Sequence, residues 1–221
     1  MSETNCRPYM FAGPSFCGSD ELLFEARQSA EIRPPVQRHD VERLVAAHPP
    51  GVVILVDGYF QQCLSVGHAE IRAAVSAGWS VWGLSSLGAI RAYEMRDLGV
   101  KGYGRVYQRF YEHADFRDDE VALIHEPGPP YRSFSEPLVH IRFFLRHLVS
   151  LELLTPNLEE RILESLMSMW FGYRTLGLLR SNLVELAPQN AAAIENVLAN
   201  FHPFRVKHHD LSDFFRERPW E

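Results

Sequence analysis

The stretch Val52-Val53-Ile54-Leu55-Val56, followed at once by Asp57-Gly58, decides the fold. An unbroken aliphatic run without polar alternation reads as a strand buried on both faces, the kind found in parallel sheets covered by helices on either side. Downstream, Ala69–Ala77 carries apolar residues at Ile71, Ala74 and Val75, Gly78 closes that helix, and Ser80–Gly83 forms the next strand. Together these make a β-α-β unit, whose handedness rule implies parallel strands. Upstream, Tyr9 to Ala12 is a short apolar run that ends in Gly13-Pro14-Ser15, a first strand entering a turn. Between the two lie a helix over Glu21–Ala30, with Ser19 or Asp20 as its cap, an extended segment forced by Pro34 and Pro35, and a helix over Val41–Ala47 capped by Asp40.

Beyond Gly83, the residues Ser85-Ser86-Leu87-Gly88 open a helix that runs through Met95 and stops near Gly99. A loop with Gly102 and Gly104 leads to Asp118-Asp119-Glu120 and the apolar run Val121–Ile124, which is expected to be a further strand before Pro127–Pro130 breaks the chain. From Glu136 the period turns helical: Leu138, Ile141, Leu145 and Leu148 share a stripe, and Leu158–Trp170 and Ala191–Ala199 repeat it. The expected class is α/β, a mostly parallel sheet with flanking helices and a helical C-terminal extension. The expected division is an α/β core over 9–150 and the extension over 151–221.

With 221 residues, 46% hydrophobic and 23% charged, the composition is that of a globular chain with one sizeable core. Net charge is −6 and the basic residues are scattered among acids, which argues against nucleic acid as a partner. Cys6, Cys17 and Cys63 form no C-x-x-C pair, as expected of free thiols in a reducing compartment. The longest apolar stretch falls far short of the ~20 residues that span a bilayer, and Met1 to Pro8 lack a hydrophobic signal core. The expectation is a cytoplasmic protein without a membrane partner.

Ligands of open α/β sheets sit beyond the carboxyl ends of strands, where helix N-termini offer unpaired N–H groups. Three loops meet that description: Gly13-Pro14-Ser15, Asp57-Gly58-Tyr59-Phe60 and Ser85-Ser86-Leu87-Gly88. Ser86, on a strand-to-helix turn, can present a hydroxyl beside N–H groups able to hold an oxyanion, with Gly88 keeping the approach open; it can equally be a helix cap. Asp57, at the end of a buried strand, needs a partner and is a candidate for function. His68 has the ring chemistry of a base, or of a surface residue that begins a helix. Arg91 and Glu94, three apart, can pair as surface decoration or clamp and orient a carboxylate. The acids Asp118 to Glu120, and His202, His208, His209 and Asp210 in the tail, lack the spacing of a metal site, so no metal is assigned. Cys17 is a possible thiol nucleophile with nothing near it in sequence to activate it.

Taken in order, Gly13-Pro14-Ser15, Pro34-Pro35 with Asp40, Asp57-Gly58-Tyr59-Phe60, His68 with Glu70-Ile71, GLSSLGAIRAYE over Gly83 to Glu94, Gly102 and Gly104, Asp118 to Val121, and Tyr131 with Ser135-Glu136 resemble the TfuA-like family over roughly Met10 to Leu148. Fainter similarity runs over Tyr173 to Leu179. The chain departs from the family where methionine is common and it has Leu87, and where alanine is common and it has Tyr93. The resemblance implies an accessory protein for YcaO-dependent thioamidation of peptide backbones in ribosomal peptide natural-product biosynthesis. YcaO activates an amide oxygen with ATP, and the TfuA-like partner supplies or directs sulfur, as sulfide released by hydrolysis from a thiocarboxylated sulfur-carrier protein. The absence of G-x-x-x-x-G-K-[ST] agrees with ATP chemistry in the partner and no cofactor in this chain. The expected partners are YcaO, the carrier and a precursor peptide; the expected catalytic residues are Ser86, Asp57 and His68, with Gly13, Ser15, Tyr59, Ser85, Gly88, Arg91 and Glu94 binding substrate. Two other readings are a non-catalytic adaptor that activates YcaO allosterically and an unrelated serine hydrolase.

Overall fold

The computed structural model describes residues 7–60, 63–113 and 116–221; Cys6 and the start of the N-terminal stretch lie outside them. Five strands, β1 (Tyr9–Phe11), β2 (Glu31–Arg33), β3 (Val52–Leu55), β4 (Ser80–Leu84) and β5 (Lys101–Tyr103), form one sheet in the order β2-β1-β3-β4-β5 with every pairing parallel. The helices are α1 (Asp20–Ser29), α2 (Asp40–Ala47), α3 (His68–Ser76), α4 (Leu87–Glu94), α5 (Gly104–Glu112), α6 (Leu138–Ser150), α7 (Pro156–Met167), α8 (Leu176–Leu186), α9 (Ala191–Ala199) and α10 (Val206–Glu217). The class is α/β with a mostly parallel sheet and a helical C-terminal region, as the apolar periodicities imply.

The chain divides into two compact units, one of residues 1–116, 128–132 and 207–221, the other of residues 117–127 and 133–206. In the first, register aligns Met10 with Ile54 and Ile54 with Trp82, so alternate side chains form a row on one face of the sheet. That row, with Ala12, Val56 and Leu84, is covered by Leu22 and Ala26 of α1 and by Leu211, Phe214 and Phe215 of α10. The opposite face receives α4 at close range. A Cβ on Gly83 would lie 2.1 Å from the Gly88 carbonyl oxygen, and one on Gly88 would lie 1.8 Å from that of Leu55. Gly88 therefore lets the helix touch the strand.

The second unit is a helical assembly with its own core, in which Leu138, Ile141, Phe144, Leu145 and Leu148 of α6 meet Ile162, Leu163 and Leu166 of α7 and Leu179 and Leu183 of α8. Thr155 and Thr175 cap α7 and α8 by accepting from Leu158 N and Leu178 N. The stretch 151–221 is thus shared between the units, because α10 carries apolar residues that complete the sheet's core.

Three elements differ from expectation. Val121–Ile124 is not a strand: a 3-10 turn over Asp118–Glu120 precedes it, and Ile124 bonds through its N–H to Ser135 Oγ and through its carbonyl to Phe134 N. Val121 and Ala122 are apolar because they are buried, which a short run cannot distinguish from strand pairing. Conversely, β2 and β5 are edge strands of three residues containing Glu31, Arg33 and Lys101, the charged composition that masks an edge.

Candidate functional site

With strand order β2-β1-β3-β4-β5, the chain leaves β1 toward one edge of the sheet and β3 toward the other, so the switch point lies between those two strands. Asp57 stands two residues beyond β3 at that point and is 1% exposed. Its Oδ2 accepts from the N–H groups of Gly13 and Ser15, both at 2.9 Å, and its Oδ1 accepts from Ser15 Oγ at 2.7 Å. The loop after β1 is therefore folded around this carboxylate. The Lys207 ammonium, 2% exposed, lies 3.9 Å from Oδ1. Every one of these partners is a donor, so Asp57 is held as an acceptor and organises the loops instead of standing ready as a base.

The turn after β4 carries a backbone outlier. Ser85 has φ of 63°, in the left-handed region that a serine seldom adopts. Ser86 N–H donates to Leu84 O at 2.7 Å across the bend, and Leu87 begins α4. The two hydroxyls are used differently. That of Ser85, which is fully buried, donates to the Lys207 carbonyl at 2.9 Å. That of Ser86 makes no capping bond to α4 and no other hydrogen bond among the described residues, although the residue is 3% exposed. Leu87 N–H likewise has no acceptor among them, while Gly88 N–H is taken by Val56 O at 3.1 Å.

Tyr131 closes over the first loop. Its ring would stand 3.0 Å from a Cβ on Gly13, it has φ of 57°, and its burial, followed by the charges of Tyr59 and Asp57, pushes the phenol up so that it stays a neutral donor. Burial, then Cys63 and Asp40, pushes Tyr59 up in the same way. Alongside, a cavity of about 670 Å³ opens between the carboxyl ends of β1 and β2, lined by Gly13, Cys17, Leu23, Arg27, Arg33, Pro130 and Tyr131 among others.

The remaining expected residues form a separate surface group. Glu94 Oε2 accepts from Arg91 Nη1 at 2.7 Å and pairs with His68 Nε2 at 2.8 Å, and Arg91 Nε donates to Val66 O. His68 is held by this glutamate and has no described bond to Asp57 or Ser86. The acids after Arg117 are ion-paired: Glu120 with Arg142 and Asp119 with Arg174. Among the described residues no group of His, Cys, Asp or Glu could hold a metal. Asp210 instead accepts from Val106 N–H at the start of α5.

Sequence reasoning missed Lys207 and gave Tyr131 no role. Nothing local marks either one, since Lys207 sits in an unremarkable helix start and reaches Asp57 only through the path of α10.

An open, doubly wound α/β sheet gathers polar groups beyond β1, β3 and β4, the edge at which ligands of such sheets sit. The family follows from comparison: the model for TfuA-like proteins matches residues 57–175, more than half of the chain, and this chain belongs to the TfuA-like family. No curated protein matches the chain. The matched stretch begins at Asp57, includes Ser85 and Ser86, and leaves Gly13, Ser15 and Lys207 outside it. No helix among the described residues is long and apolar enough to cross a membrane.

Proposed function

We propose that this protein releases sulfide from a thiocarboxylated sulfur-carrier protein for a YcaO enzyme, which installs it in the backbone of a precursor peptide. The TfuA-like family is associated with YcaO-dependent thioamidation, and that association supports this pathway. The observation that carries the chemistry is the Ser86 hydroxyl, unengaged at the start of α4 beside the Leu87 N–H. A serine held on a strand-to-helix turn beside a left-handed Ser85, with an amide next to it, has two parts of an acyl-transfer site, a nucleophile and an oxyanion donor. Ser86 Oγ would attack the thiocarboxylate carbon, forming a C–O bond as the C–S bond breaks, and the hydroxyl proton passes to the departing sulfur, which leaves as HS⁻. Water then cleaves the serine ester, returning the hydroxyl and leaving the carrier with a carboxylate and one proton in solution. In this reading the protein needs no cofactor of its own, and ATP is used by YcaO.

The test is sulfide release from a thiocarboxylated carrier by the wild type and by Ser86→Ala. Loss of about 100-fold or more in rate is expected, on the order of 2.7 kcal/mol of transition-state stabilisation. Release at the wild-type rate would remove Ser86 from the chemistry.

An adaptor role has its own support in Trp170 and Tyr173, which are 47% and 65% exposed and stack edge-on with ring centroids 5.4 Å apart. Exposed aromatic pairs of this kind anchor protein interfaces. Under that reading Trp170→Ala weakens association with YcaO while Ser86→Ala leaves thioamide yield unchanged.

A further inference from the structure

The cavity of about 670 Å³ beyond β1 and β2 takes no part in the chemistry proposed for Ser86, and its walls belong wholly to the sheet-bearing unit. Its size is that of a pocket for a small molecule or a short stretch of peptide. Leu23 of α1 and Ile32 of β2 give part of their surface to the sheet's core and part to the cavity wall, which Pro34, Pro130 and the Tyr131 ring continue. An occupant that removes this surface from water has an apolar body.

Charge on the wall is uneven. Arg33 is committed, because its Nε and Nη2 donate to Glu31 Oε1 and its guanidinium lies over the Tyr9 ring. Arg27, in the last turn of α1, is exposed, and its guanidinium has no hydrogen bond or ion pair among the described residues. Asp20, whose carboxylate likewise has no partner among them, starts the same helix. The two stand roughly two turns apart, ~11 Å, which an extended chain covers in about three residues.

The backbone of β2 supplies the remaining feature. Its ladder with β1 uses Glu31, whose N–H donates to Pro8 O at 2.8 Å, and Arg33, whose carbonyl accepts from Ala12 N–H at 3.0 Å. Backbone groups alternate sides along a strand, so the N–H and carbonyl of Ile32 point away from β1 at the free edge of the sheet, with no partner among the described residues. An extended chain can take up that single rung. A chain terminus suits the cavity less well, since the loop amides that would grip a terminal carboxylate, those of Gly13 and Ser15, are already held by Asp57.

We propose that this cavity docks an internal, extended segment of a partner polypeptide, apolar in its middle, with an aspartate or glutamate set against Arg27 and no acid toward Asp20. The proposal goes beyond sulfide release and does not depend on it: it gives the protein a peptide-docking site whose specificity is read by one uncommitted guanidinium.

The probes are pools of fluorescent pentapeptides, acetylated and amidated, apolar at four positions and carrying glutamate, glutamine or lysine at the remaining one. They are titrated by anisotropy into the full-length wild type and into Arg27→Gln, an exposed substitution that leaves the fold in place. The wild type should bind the glutamate pool about ten-fold more tightly than the glutamine pool, and the lysine pool most weakly. Arg27→Gln should bind the first two alike. Location is read separately through two free thiols, Cys17 on the cavity wall and the exposed Cys63 away from it. Bound glutamate pool should slow alkylation of Cys17 several-fold, followed by peptide mapping, and leave Cys63 unchanged. Equal binding of the glutamate and glutamine pools by the wild type overturns the proposal, as does a preference that survives Arg27→Gln or a Cys17 that reacts at its free rate with the pool bound. Tighter binding of an apolar peptide with a free C-terminal carboxylate and no glutamate also overturns it, by making the cavity a pocket for chain ends.

Discussion

In the helical unit, buried charge is closed on itself. Glu120 takes both arms of the Arg142 guanidinium at 2.6 to 3.1 Å. Arg174, with no exposed surface, donates to the carbonyls of Leu166, Met169 and Asp119 and to the Asp119 carboxylate. Glu136 is shared by His140 and Arg205. At the carboxyl edge of the sheet Asp57 is bound as tightly, yet the Ser86 hydroxyl on the neighbouring turn is bound by nothing described. Because most buried polar groups in folded proteins are satisfied, the closed network reads as scaffold, whereas the Ser86 hydroxyl, with no partner among the described residues, is not tied into it.

The strongest way to break that comparison is to open the closed network. Arg174→Met leaves three carbonyls and the Asp119 carboxylate without their donor, and removing one partner of a buried pair costs about 3–5 kcal/mol. Urea unfolding followed by circular dichroism measures it. A loss below ~1 kcal/mol would show that the network is not what holds residues 117–127 against α6 and α7.

The pH response sharpens the contrast, because the two regions should slope in opposite directions. In the sheet unit Asp210 is pushed up to about 7, by burial first and by Asp213, against the lowering effects of Val106 N–H, Arg105 N–H and the Arg105 guanidinium. Its contribution to stability is full below the unfolded value of 3.8 and is lost as pH rises through about 7. In the helical unit burial raises Glu136, but His140 and Arg205 together outweigh it and hold the carboxyl below 4.5. That contribution is present above the usual glutamate range and is lost as pH falls through the depressed value. Asp210→Asn should flatten the stability profile between pH 4 and 7 by on the order of 1–3 kcal/mol, and Glu136→Gln should flatten it only at acid pH. Identical profiles for the two variants would contradict these environments.

How much of this was legible in the sequence depends on whether a signal is local. The run Val52–Val56 and the helix before Ser80 fixed the parallel core because continuous burial and a 3.6 period are written in neighbouring residues. The edges were not legible, since Glu31–Arg33 and Lys101–Tyr103 pair through backbone groups, and three residues with a single apolar or aromatic member, Ile32 or Tyr103, are too few to show a period. The strand-end rule brought Gly13, Ser15, Asp57, Ser85 and Ser86 into consideration together, and Gly13 and Ser15 do meet Asp57. The Arg91–Glu94 pair follows from helical spacing, whereas the addition of His68 needed the fold. Lys207 was out of reach because the fold brings it to Asp57 from 150 positions away in sequence, on a helix whose own pattern reports only its apolar face.

The smallest expected effect is the most discriminating. A serine that caps a helix accepts a bond from the first turn, and replacing it by alanine costs about 1 kcal/mol. Ser19 is such a cap in this chain, accepting from Leu22 N–H at 3.2 Å, and provides an internal standard. Ser86 accepts no such bond, so Ser86→Ala removes a hydroxyl with no protein partner among the described residues. Its unfolding midpoint in urea should correspond to a change within about 0.5 kcal/mol, with Ser19→Ala near 1 kcal/mol on the same preparation. Should the two variants lose equal stability, Ser86 is bound in solution as Ser19 is. The difference between the closed helical network and the open turn at the sheet edge then disappears, and with it the reason to place the nucleophile there.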